Sequence, residues 1–174
     1  MLININTAPP IHLEWDMDDH RVGIVNQSQP TLKARYEVAI HNRIERTAKE
    51  YYKLAGFDLE VDHILNTGCL LFQPKYHTEF MKNVYDMYET TQLTHHRGFH
   101  FEQACIGYEL YTNNMVTFLD HKWNALWGNQ RTYYYNILNQ PISIDEFLSN
   151  NYFVHLVGNT DHHHVSRLNE MMQL

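Results

Sequence analysis

Clustered positive charge is missing from this 174-residue chain, in which 13 lysines and arginines face 20 aspartates and glutamates for a net charge of -7. Gripping a nucleic-acid backbone takes grouped cations, so phosphate tracking is excluded. Cysteine is scarce as well. Cys69 and Cys105 sit in apolar surroundings, without the spacing of a disulfide framework or a zinc knuckle. They read as reduced core residues, which suits a cytoplasmic protein. No run of about 18 apolar residues is present that could cross a bilayer. Residues 1–15 lack both the charged and the apolar region of a signal peptide.

What is present is a globular composition. Hydrophobic residues make up 44% and charged residues 19%, enough to bury a core in a single domain spanning 1–174. Residues 1–20 read as irregular because Pro9 and Pro10 break any regular element. Residues 21–26 suit a short strand. Apolar residues at Leu32, Tyr36, Ile40, Ile44, Ala48, Tyr51 and Ala55 recur at steps of three and four, which predicts one helix from about Thr31 to a stop at Gly56.

The stretch 62–74 organises the rest. Asn66, Thr67 and Gly68 form a polar turn that runs into a short apolar strand near 69–73, closed by Pro74. Gly68 allows another backbone or a ligand to come close, and the Asn66 amide offers both donor and acceptor to a polyhydroxylated ligand. Pro74 then opens a helix carrying Phe80, Met81, Val84, Met87 and Tyr88. A loop holding His95, His96 and His100 leads to a helix over about 101–111, with Glu102 and Gln103 in its first turn. Residues 115–119 suit a strand, and 120–128 a loop with two tryptophans. Ser143 and Glu146 have the spacing of a capping box, which predicts a short helix ending near Asn151. A strand over 153–157 contains His155, Gly158 ends it, and Asp161 precedes a last amphipathic helix. Strands alternating with helices predict an α/β fold.

Four segments, in order, resemble the C-terminal half of nucleotide-sugar glycosyltransferases of the GT-A type, most like the glycogenin relatives in glycosyltransferase family eight. They are Asn66-Thr67-Gly68 before an apolar strand, the pair Glu102-Gln103 at a helix start, Lys122-Trp123-Asn124 after a strand, and His155 followed at the third position by Gly158. The resemblance implies a mixed sheet flanked by helices, with strands near 22–26, 69–73 and 153–157 in one sheet. It implies Glu102 and Gln103 as catalytic residues, with Asn66, Thr67, Gly68, Asn124 and Gly158 binding substrate. It also implies His155 as a ligand of Mn2+ or Mg2+, a UDP-sugar donor, and a carbohydrate or protein acceptor. Asn66, Gly68, Glu102, Gln103 and His155 would then converge on one cleft, as a shared sugar site requires.

Two departures from that pattern stand out. The family's upstream D-x-D metal motif has no counterpart in the expected place, since Asp16-Met17-Asp18 comes only a few residues before the 21–26 strand. The nucleotide-binding part is therefore expected to lie outside these residues. Asp161 also stands where the family carries a lysine against the leaving diphosphate, and a carboxylate there is repulsive. The alternatives are a catalytically silent binding module of the same ancestry and a histidine-rich metal-binding protein or hydrolase.

Overall fold

The computed structural model describes residues 2–3, 8–10, 12, 15, 20–26, 47–94, 101–127 and 142–155. The expected features at Asp16 to Asp18, His95, His96, His100, Gly158, Asp161 and the C-terminal helix lie outside the described residues. So does the part of the first predicted helix before Thr47.

The described elements are β1 (Leu2–Ile3), β2 (Val22–Asn26), α1 (Ala48–Leu54), β3 (Leu65–Leu71), α2 (Pro74–Thr94) and α3 (Phe101–Thr112). They continue with β4 (Val116–Leu119), a 3-10 turn (His121–Asn124), β5 (Ala125–Leu126), α4 (Ile144–Asn150) and β6 (Phe153–His155). This is an α/β arrangement with a small mixed sheet: β2 lies between an antiparallel β3 and a parallel β4. No helix among the described residues is long and apolar enough to cross a membrane.

The strand period of two divides the faces of that sheet. Val22, Ile24, Leu65 and Leu70 point to one side, where Phe80 and Met81 of α2 and Ile106 and Leu110 of α3 cover them. Val25, Leu71 and Leu119 point to the other and meet Trp15, Trp123, Tyr152 and Phe153. Behind α3, the buried rings of Tyr51 and Tyr52 on α1 pack against Ala104 and Cys105. Fully burying one large apolar side chain contributes about 1.5–3 kcal/mol.

Five expectations require correction. The strand near 153–157 does not join the sheet of 22–26: β6 sits in a second sheet of order β1-β6-β5, which makes Leu2 and Ile3 a strand rather than irregular chain. The polar turn at Asn66 to Gly68 is inside β3. Ile24 pairs with Leu70 while its neighbour Val25 pairs with Asn66, so 67, 68 and 69 bulge out of the ladder. No single helix runs through Thr47 to Ala55: the Thr47 backbone is extended and its hydroxyl accepts the Glu50 N–H as the N-cap of α1. The loop after Leu119 folds into the 3-10 turn and β5, because the Asp120 carboxylate accepts the Lys122 N–H and tightens the chain.

Other local signals act as their chemistry dictates. The Ser143 side chain accepts the Glu146 N–H and starts α4, and Pro74 occupies the first position of α2. Gly56, at φ +90, closes α1 in the left-handed region that an L side chain rarely adopts. His77 is fully buried at the start of α2. Its Nδ1 accepts the Gln73 N–H at 2.9 Å and its Nε2 meets the His20 carbonyl at 2.9 Å, tying α2 to the entry of β2. Replacing His77→Leu takes the ring partner from the part-buried Gln73 N–H and from the carbonyl of the exposed His20, at about 0.5–1.5 kcal/mol for each bond lost. A fall of the urea midpoint corresponding to about 1–3 kcal/mol at unchanged slope is expected. An unaltered midpoint would show that the His77 bonds do not hold this junction.

Candidate functional site

Three of the four resembling segments meet in one place. β6 alternates so that Val154 packs on Phe147 of α4, while Phe153 and His155 turn toward the first sheet, Phe153 reaching Trp123. The 3-10 turn places Asn124 beside them, 2% exposed. Asn66 shares its face with its ladder partner Val25, on the Trp123 side of the sheet. The result is a chain of polar contacts. The Asn66 Oδ1 accepts the Gly68 N–H at 2.8 Å and the Asn124 Nδ2 at 2.7 Å, and the Asn124 Oδ1 lies 3.1 Å from His155 Nδ1.

The bulge makes this possible. A Cβ built on Gly68 would fall 2.6 Å from His155 Nδ1, 2.8 Å from its Cε1 and 2.9 Å from Asn66 Oδ1, so only glycine admits the ring. Thr67, beside it, is half-buried. Burial holds the His155 imidazole below the usual histidine range and favours its neutral form. What approaches the Gly68 backbone is the side chain of His155, where the sequence suggested another backbone or a ligand.

Glu102 and Gln103 do not join this cluster, which corrects the expectation of a single cleft. They stand on α3, whose Ile106 and Leu110 pack on the face of the sheet opposite to Asn66. Gln103 is buried and donates from Nε2 to the Tyr51 hydroxyl at 3.2 Å, and Glu102 is exposed. Trp123 is a core residue, 4% exposed. Cys69 and Cys105 are both free and buried. Burial pushes the Cys69 thiol up and the Cys105 thiol up to about 12, so neither is a ready nucleophile.

As a metal centre the cluster offers one atom, the second imidazole nitrogen of His155. A neutral imidazole is suitable donor chemistry for Mn2+. Among the described residues, however, no group of three His, Cys, Asp or Glu side chains could hold an ion. The chemistry assignable to these residues is that of an imidazole and two amides.

Comparison with known proteins adds a short likeness. A protein of Acanthamoeba polyphaga mimivirus that carries the name of an F-box protein is 46% identical over 41 residues. That stretch is 24% of this chain and only 6% of the length of that protein. No protein family's profile matches the chain. No solved structure matches it.

Gly68→Ala is expected to expel the His155 ring from its contact with Asn124 and to destabilise the fold by about 1–3 kcal/mol through overpacking. Urea unfolding together with the histidine NMR signals checks it, and an unmoved His155 signal would contradict the close approach. The depressed affinity of His155 for protons also has a sign. The unfolded chain takes up this proton first as pH falls, so the contribution of His155 is complete above about 6.5 and shrinks below it. The stability gap between wild type and His155→Gln should therefore narrow between about pH 7.5 and the region below 6. A gap that widens on acidification would reverse the assignment.

Proposed function

We propose that this chain is part of a metal-dependent nucleotide-sugar glycosyltransferase of the GT-A type, with a UDP-sugar as donor. The observation that carries this is the contact of Asn66, Asn124 and His155, which lie 58 and 31 residues apart along the chain. A resemblance in sequence supplies only the order of the segments. Their physical meeting supplies a reason for the residues to occur together.

In such a transfer the bond from the anomeric carbon to the diphosphate oxygen breaks and a bond to an acceptor hydroxyl oxygen forms. The proton of that hydroxyl passes to the leaving diphosphate oxygen or to solvent, and the nucleoside diphosphate leaves as an anion. A bound Mn2+ or Mg2+ would neutralise that anion. The part proposed for this chain is to present the His155 imidazole, kept neutral by burial, at the rim of a surface formed by Thr67 and Gly68. Gly158, a substrate-binding candidate from the resemblance alone, lies outside the described residues. Glu102 and Gln103, proposed from the resemblance as the catalytic pair, approach the sheet from its other face, so the His155 side carries the weight of the proposal.

One observation favours a second reading, a binding module of the same ancestry without turnover. The Asn66 Oδ1 already accepts two hydrogen bonds and Asn124 is bonded at both ends of its amide, which leaves less for the hydroxyls of a sugar.

Calorimetry with UDP-glucose and UDP-galactose in the presence of Mn2+ tests the proposal on wild type and His155→Ala. Weak binding by the wild type, reduced about tenfold or more in the variant, is expected. Equal affinities, or no binding of either donor, would overturn it. Release of UDP on adding acceptor sugars then separates the transferase from the silent module.

A further inference from the structure

We infer that Asn66 and Asn124 are positioning residues that dictate which nitrogen of His155 carries its proton, so that the lone pair of Nε2 is what this site offers to a ligand. Amide and imidazole orientations are ordinarily ambiguous. A backbone donor removes the ambiguity at each step.

The Gly68 N–H can only donate, so the Asn66 atom that meets it at 2.8 Å must be its oxygen. That same oxygen faces Asn124 at 2.7 Å, which obliges Asn124 to turn its NH2 group toward it. The Asn124 oxygen is thereby left facing His155 Nδ1 at 3.1 Å. An amide oxygen only accepts, so Nδ1 must carry the hydrogen. The neutral ring then holds its lone pair on Nε2, which bonds no described residue. Flipping either amide would set donor against donor or oxygen against oxygen in a buried place, since Asn66 is 7% and Asn124 2% exposed.

The tautomer is a property of the free protein, so this inference stands or falls separately from the glycosyltransferase proposal. Its test is NMR of the whole chain labelled with 13C and 15N at histidine, in the pH range where the ring is neutral. The Cδ2 and ring-nitrogen shifts of His155 should report the Nδ1–H form in the wild type. Asn66→Asp should keep that form, because a carboxylate oxygen still accepts from both Gly68 and Asn124. Asn124→Leu should move the signals toward the Nε2–H form that free imidazole side chains prefer. A purely structural amide would alter stability without shifting the tautomer. Nε2–H signals in the wild type would overturn the inference without any variant. So would an Nδ1–H signal surviving Asn124→Leu in a chain whose amide spectrum remains folded.

Discussion

The hydrogen bond from the Gly68 N–H to the Asn66 side chain is the constraint on which the junction of the two sheets depends. It fixes the direction of the first amide, which fixes the second, which meets the ring on β6. Each of these groups is withdrawn from water to some degree, and an unpaired buried polar group costs about 1–3 kcal/mol. A partly completed chain of such bonds is worse than none. The three residues of the bulge, 67 to 69, are therefore part of the same device, because without them Gly68 would lie in the ladder and leave no space for the ring.

Period-two alternation does the rest of the placing. Phe153 and His155 share a side of β6, so the aromatic contact of Phe153 with Trp123 brings the imidazole to Asn124. Val154, turned the other way, anchors the strand on Phe147 of α4. The same alternation in β2 and β3 sends Leu65 toward α3 and Asn66 away from it. Gln103, carried on α3, thus finds a tyrosine hydroxyl on α1 rather than the amide of Asn66.

Features written in a few consecutive residues could be read from the sequence: the Ser143 cap, Pro74 at the head of α2, Gly56 at the end of α1, and the buried cysteines. Features that depend on a distant partner could not. The bulge at 67 to 69 exists only relative to β2, more than forty residues earlier, and a local reading turns it into a turn. The second sheet is built by β6 pairing with two two-residue strands, β1 and β5, and strands that short have no periodicity to detect. At Thr47 a continuous apolar period ran through a residue whose hydroxyl competes for the helix N–H groups, and the cap prevailed. Of the candidate site, Asn66, Gly68, Asn124 and His155 were all visible, but their mutual bonds were not, since side-chain pairing carries no sequence signal.

His77 and His155 show how a structural histidine differs from one with something left to offer. His77 is fully buried, and both its nitrogens are engaged by backbone groups, one as acceptor and one as donor. Every hydrogen-bonding position of that neutral ring is used, so its role ends with holding α2 to the start of β2. His155 is half-buried and engaged at Nδ1 alone among the described residues. If the ring served only to fill space between the sheets, an apolar side chain would do so without requiring two buried amides in fixed orientations. Those amides spend their bonding capacity on the ring nitrogen that faces inward. What they leave is a neutral imidazole with one basic nitrogen, and that is the form in which a histidine accepts a proton or binds a metal.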